Sequence, residues 1–214
     1  MTLDLVLLAF ENGRLQALTI SEPESRGRRV LPWLPYDGAE PIDTAIRQAA
    51  HDVLGAVPTW LEQGGVYDGR KRHPVEGSVS LAFVGLVCDI GNARSASQAW
   101  TEMDAMGALP PRQRAMVEDA LVMLRDRIDF DPLAFRLLPS AFTLSELQQV
   151  YERILGHSLH KASFRRALQA ARLVQPLNEF RTEGRGRPAQ LYRYSPRHRT
   201  SAVRSARFDL LGGA

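Results

Sequence analysis

Apolar residues fill Leu3 to Phe10 and Leu15 to Ile20, and the polar stretch Glu11-Asn12-Gly13-Arg14 separates them. Asn-Gly supplies the two positive φ angles of a type I′ turn, so the pattern predicts a β-hairpin. A polar loop with Pro23 and Arg26 to Arg29 follows, then Val30 to Pro35. Between Glu40 and Leu54 the residues Ile42, Ala45, Ile46, Ala49 and Val53 recur at helical spacing, and Gly55 stands where a C-cap belongs. Strand-like Trp60 to Tyr67 leads through a basic turn, Asp68 to Pro74, into the apolar run Val79 to Val87. A second helix is expected from the Pro110-Pro111 pair through Met116, Val117, Ala120, Leu121, Leu124 and Ile128. Strands, one helix, more strands and then helices predict an α+β chain.

The last third has a different rhythm. Thr143 and Glu146 have capping-box spacing, with Phe142 and Leu147 placed to close a hydrophobic staple, so a helix should run to Leu155 and stop at Gly156. A turn through His157 to His160 leads to a second helix with Phe164, Leu168 and Ala171 as its buried stripe. Its outward residues are then Arg165, Gln169 and Arg172, with Lys161, Ser163 and Arg166 near its start. Leu173 to Phe180 and Gln190 to Tyr194 read as short strands enclosing an arginine- and glycine-rich tip with Arg181, Arg185 and Arg187. Two helices across a short turn, the second basic outside, followed by a cationic hairpin, predict a winged helix-turn-helix.

Charge sharpens this division. Residues 143–214 carry 13 Lys/Arg against 5 Asp/Glu, whereas residues 1–142 carry 14 against 19. A basic part that meets polyanions is thereby joined to a mildly acidic part with another task. The expected domains are 1–130, 131–196 and a basic tail, 197–214. The first residues lack the basic region of a signal peptide and no apolar run approaches the ~20 residues a membrane span needs, so a cytoplasmic location is expected. The single cysteine, Cys88, lies in an apolar run and is expected to be buried.

Leu31-Pro32, Glu40 and a helix ending in Gly55 have the spacing of a Nudix box, with Glu40 at the first glutamate and Gly55 at the last glycine. Leu34 stands for the first glycine, Gln48 for the arginine, Ala49 for the first catalytic glutamate, Asp52 for the next acid and Val53 for the final glutamate. A Nudix enzyme cleaves a diphosphate with Mg²⁺ held by carboxylates on this helix. Ala49 and Val53, four apart on one face, offer methyl groups to a hard cation. No catalytic and no metal-binding residue is therefore assigned, and the chain is not expected to be an enzyme.

Together with Ser78-Val-Ser-Leu-Ala-Phe, Ala99-Trp100, Leu138 to Leu147, Phe164-Arg-Arg166 and Gly186 to Tyr192, these segments resemble the Nudix-related winged-helix transcriptional regulators of NAD metabolism. The resemblance implies a degenerate Nudix-like α/β/α sandwich followed by a winged helix-turn-helix. It further implies a homodimeric repressor on a palindromic DNA operator, controlled by a nucleotide effector such as ADP-ribose, NAD or ATP, with no cofactor required. An active Nudix hydrolase of ADP-ribose-like nucleotides with a tethered winged helix is the alternative.

Lys161, Ser163 and Arg165 are the candidates for base edges, where a bidentate arginine–guanine contact is worth ~1–3 kcal/mol of discrimination. Arg166, Arg172, Arg181, Arg185 and Arg187 are candidates for phosphate. Arg70, Lys71 and Arg72 are the effector candidates, cations suited to a diphosphate; an exposed basic loop and an extra DNA contact are equal alternatives. Trp33 and Tyr36 suit either adenine stacking or the core, and His51 has no partner at metal-ligand spacing.

Overall fold

The hairpin turn folds as its sequence requires. Asn12 and Gly13 adopt φ of 52° and 76°, which sets Glu11 opposite Arg14 and closes β1 (Thr2–Glu11) on β2 (Arg14–Ser21). This computed structural model describes residues 1–21, 28–75, 79–90, 97–182 and 188–195, which fall into two units, Met1–Met123 and Leu124–Ala214.

In the first unit β3 (Arg29–Val30), β4 (Trp33–Pro35), α1 (Ile42–Leu54), β5 (Trp60–Asp68), β6 (Val79–Val87) and β7 (Gln98–Glu102) follow the hairpin. A 3₁₀ turn, Met103–Ala108, then leads to α2, Pro111–Arg127. The sheet runs β3-β2-β1-β6-β5, with β4 beside β1 and β7 beside β2. At its centre β1 pairs parallel with β6, from Thr2 opposite Ser80 to Ala9 opposite Val87. A register shift between Gln63 and Gly65 marks a bulge in β5; a Cβ on Gly64 would meet Val84 Cγ2 at 2.9 Å, so this site needs glycine.

Strand alternation divides the sheet into two lined faces. Leu3, Leu5, Leu7 and Ala9 of β1, with Leu18 and Phe83, form one core with Ala45, Ile46, Ala50 and Leu54 of α1. Each buried Leu, Ile or Phe side chain among them contributes about 1.5–3 kcal/mol. The opposite face carries Thr2, Asp4 and Ser80, and Arg112 and Gln113 of α2 reach these residues. Helix, sheet and helix make the expected Nudix-like sandwich of an α+β chain. Pro41 is extended at ψ 137°, so α1 starts at Ile42, two residues after the expected Glu40. Gly55 closes it at φ 72°, its N–H donating to the His51 carbonyl.

The second unit holds α3 (Leu133–Arg136), β8 (Phe142–Thr143), α4 (Leu144–Leu155), α5 (Lys161–Ala170), β9 (Val174–Arg181) and β10 (Ala189–Tyr194). Its sheet runs β8-β10-β9. The capping box forms as written: the Glu146 N–H donates to Thr143 Oγ1 at 3.1 Å and the Thr143 N–H to Glu146 Oε2 at 2.6 Å. Tyr151 of α4 meets Phe164 of α5 with ring centroids 5.3 Å apart, and Leu168 and Ala171 are buried as expected.

Two expectations are corrected. Cys88 is exposed, because β6 ends at Val87 and the thiol lies one residue beyond the buried run. Arg172 is exposed but does not lie on the second helix, which ends at Ala170; it occupies the following turn at φ 49°.

Candidate nucleic-acid interface and basic turn

Local sequence sets how α5 is presented. Gly156 ends α4 at φ 80°, and two α4 side chains then hold the turn: Glu152 Oε1 accepts the Leu159 N–H at 2.8 Å, and Gln148 Nε2 donates to the Leu159 carbonyl at 3.0 Å. Leu159 is buried beneath them. With Phe164 and Leu168 fixed inside, Lys161, Arg165 and Gln169 fall four residues apart on the exposed side, with Arg166 alongside. Ser163 is half-buried, its Oγ hydrogen-bonded to His160 Nδ1 at 3.1 Å. These five residues and His160 make one polar, cationic helix face; His160 had no signal in the hydrophobic pattern.

The hairpin is fixed differently. Arg181, at the end of β9, donates through Nη1 to Glu146 Oε1 at 2.6 Å and through Nη2 to the Ala141 carbonyl at 3.2 Å. A side chain expected to meet phosphate thus ties the wing to the first turn of α4. Arg185 and Arg187 lie outside the described residues, as does the basic tail.

The basic turn of the first unit is anchored from beneath by a buried polar network that spans distant segments. His73 Nε2 lies 2.8 Å from Asp4 Oδ1, and the Val75 N–H points to His73 Nδ1 at 3.3 Å. With Nδ1 accepting, the ring proton belongs on Nε2, facing the carboxylate. Asp4 also accepts from Thr2 Oγ1 at 2.9 Å and from Gln113 Nε2 at 2.9 Å. Arg112, 3% exposed, donates through Nε to the Lys71 carbonyl at 2.8 Å, through Nη1 to Ser80 Oγ at 3.1 Å and through its backbone N–H to the Arg72 carbonyl at 3.0 Å.

Above this floor Arg70, Lys71 and Arg72 are all exposed. Arg70 pairs with Asp68 at 2.6 Å; the Arg70 backbone N–H, and then its guanidinium, hold the Asp68 carboxyl below the usual range. The turn therefore belongs to the α2 side of the sheet. Trp33 lies on that side, edge-on to His73 at 5.6 Å, whereas Tyr36 packs with the α1 core, so the two aromatics do not converge. Exposed His51 lies 3.8 Å from Asp52.

Residues 134–194 match the family model of the NrtR DNA-binding winged helix domain. The chain is a Nudix-related winged-helix regulator. It is 29% identical over 207 residues, 91% of this chain and 82% of the other, to the ADPR responsive transcriptional repressor NtrR of Acinetobacter baylyi. It is similar to the crystal structure of Shewanella oneidensis NrtR complexed with a 27mer DNA, with TM-score 0.78 and 26% identity over 95% of each chain. A MutT/nudix family protein from Enterococcus faecalis shares the fold, with TM-score 0.71 and 16% identity over 91% of this chain and 87% of that one.

The metal of a Nudix enzyme does not fit this regulator's box helix. Ala49 and Val53 both pack against the α1 core, and neither has an oxygen to give a hard cation. Asp43 and Asp52 are exposed and engage Arg47 and Gln48. Among the described residues no three His, Cys, Asp or Glu side chains gather as a metal set, and no helix is long and apolar enough to span a membrane.

Proposed function

We propose that this chain is a cytoplasmic, dimeric transcriptional repressor of NAD-related genes, whose α5 reads a palindromic operator and whose Nudix-like unit senses ADP-ribose or a related nucleotide without hydrolysing it. The observation that carries the reading is the solvent face of α5, where Lys161, Arg165, Arg166 and Gln169 project from a helix locked by Tyr151 and Glu152. Such a helix fits the major groove, and a two-fold dimer spaces two of them by about one helical turn of DNA. Lys161, Ser163 and Arg165 are assigned to base edges, Arg166 and Arg172 to phosphate.

The effector acts by linkage. A nucleotide that binds more tightly in one arrangement of the dimer shifts operator affinity by its differential affinity, roughly 1–3 kcal/mol in typical couplings. The likeness to an ADPR-responsive repressor supports ADP-ribose as that effector, and Arg70, Lys71 and Arg72 are proposed to meet its diphosphate. The apolar contacts of Ala49 and Val53 support a sensor rather than a hydrolase.

The test is operator binding by the full chain, followed by fluorescence anisotropy with and without ADP-ribose, NAD and ATP. Sequence-selective binding that one nucleotide changes at least several-fold is the expected result. Failure to select any sequence, or release of AMP from ADP-ribose with Mg²⁺ at an enzymatic rate, overturns the reading.

A further inference from the structure

The wing carries an exposed aromatic that its cationic character does not explain. Phe180 is 63% exposed, the most exposed large hydrophobic among the described residues. Leaving a phenyl ring of this size in water forgoes most of its transfer free energy.

Its direction is set by its neighbour. Arg181 turns inward to Glu146 and the Ala141 carbonyl, and consecutive strand residues point to opposite faces, so Phe180 is held on the outer face of the hairpin. Across the ladder it stands opposite Gln190. Gln190 is fixed in turn, since its Nε2 donates to the Leu177 carbonyl at 3.3 Å and its Oε1 accepts from the Tyr192 hydroxyl at 3.3 Å. The result is a strip across two paired strands, with one exposed ring on β9, whose end is tied to α4, and one amide and one phenol on β10.

The surroundings select the partner. Between Glu179 and Arg193 the chain has four arginines and two glutamates, so the strip lies in a positively charged segment. A surface that suits both cations and a bare ring presents phosphates beside apolar sugar edges, as the minor groove of a DNA duplex does.

Resting on the DNA-binding reading above, we propose that Phe180 is an apolar DNA contact of the wing, set against the sugar edges of the minor groove that flanks the half-site read by α5. Arg181 is its positioning residue, fixing the end of β9 so that the ring faces outward. The ring then adds affinity without releasing counterions, unlike a cationic side chain that meets phosphate.

The experiment uses the full chain and a duplex that the wild type selects from a random-sequence library. Affinities of wild type, Phe180→Ala and Phe180→Leu are measured by anisotropy over a range of salt concentrations, with sedimentation of each protein alone. Phe180→Ala is expected to weaken binding about tenfold, the scale of losing the burial of much of one phenyl ring, with an unchanged slope of log affinity against log salt; Phe180→Leu should fall between. Unchanged affinity, or a loss that comes with a smaller salt slope, overturns the proposal. So does a change in self-association with DNA affinity intact, which would make the strip a contact between protomers. If the wild type selects no sequence at all, the DNA-binding reading itself fails, and that result is distinct from the others.

Discussion

His73 Nε2 lies 2.8 Å from Asp4 Oδ1, and both side chains are fully excluded from solvent. Asp4 is the shared acceptor of three groups, from His73, Gln113 and Thr2. A buried donor left without its acceptor bears its desolvation cost in full. Asp4→Ala strands the His73 donor, while Thr2 keeps Ser80 Oγ and Gln113 keeps the Leu31 carbonyl, and it is expected to lower unfolding stability by about 2–3 kcal/mol. His73→Ala leaves Asp4 two donors and should cost less. Urea unfolding of the full chain measures both; equal stabilities would mean that water takes over the network.

Tyr67 gives the first unit an alkaline limit. Its hydroxyl donates to Asp119 Oδ2 at 2.8 Å, and burial first, then that bond and the Asp119 charge, raise its pKa. The unfolded phenol ionises near its ordinary value of about 10. The stabilisation is therefore fully present below that pH and is lost as pH rises toward the higher folded value. Tyr67→Phe should cost about 1 kcal/mol at neutral pH and flatten the fall in stability above about pH 10, as followed by thermal melts across that range. Tyr151, raised chiefly by its own burial, keeps its contribution in this variant.

Features written within a few residues of one another were legible. The Asn12-Gly13 turn, the Thr143–Glu146 capping box and the Phe164, Leu168, Ala171 stripe each follow from local geometry, and each is present. The polar floor under Arg70 to Arg72 was not, because Asp4, His73 and Arg112 come from three distant segments and only the β1–β6 parallel pairing and α2 bring them together. The two-residue strand β8 and the four-residue helix α3 are too short to show a period. Arg181 read as a DNA contact because sequence shows its charge and not its partner, Glu146, 35 residues away.

Restoring carboxylates to the box helix tests whether the missing metal ligands are the only departure from a hydrolase. Ala49 and Val53 lean on the core that contains Ile46 and Leu54, so glutamates there must displace apolar contacts or take charge toward the interior. Ala49→Glu with Val53→Glu is expected to lower stability by about 2 kcal/mol. Millimolar Mg²⁺ should leave the melting midpoint of this variant unmoved. A midpoint raised by Mg²⁺ in the variant and not in the wild type would mean that the helix still presents a metal-ready face.

Arg166 and Arg181 carry the same charge and are expected to behave in opposite ways. Arg166 is exposed on α5, and as a phosphate contact it releases counterions on binding. Arg166→Ala should therefore weaken all sequences alike and reduce the salt slope by about one unit. Arg181 is engaged with Glu146, the residue that closes the α4 capping box, and both side chains are only partly exposed. Arg181→Ala is expected to lower stability by about 1 kcal/mol, the value for an ion pair that water still screens, and to leave the salt slope intact. It also frees the end of β9, so any loss of DNA affinity should match that of Phe180→Ala and add nothing when the two are combined, because both act through one ring. Anisotropy over a salt range with the three single variants and the Phe180→Ala, Arg181→Ala double variant decides it; a reduced slope for Arg181→Ala would return that residue to the phosphate contacts.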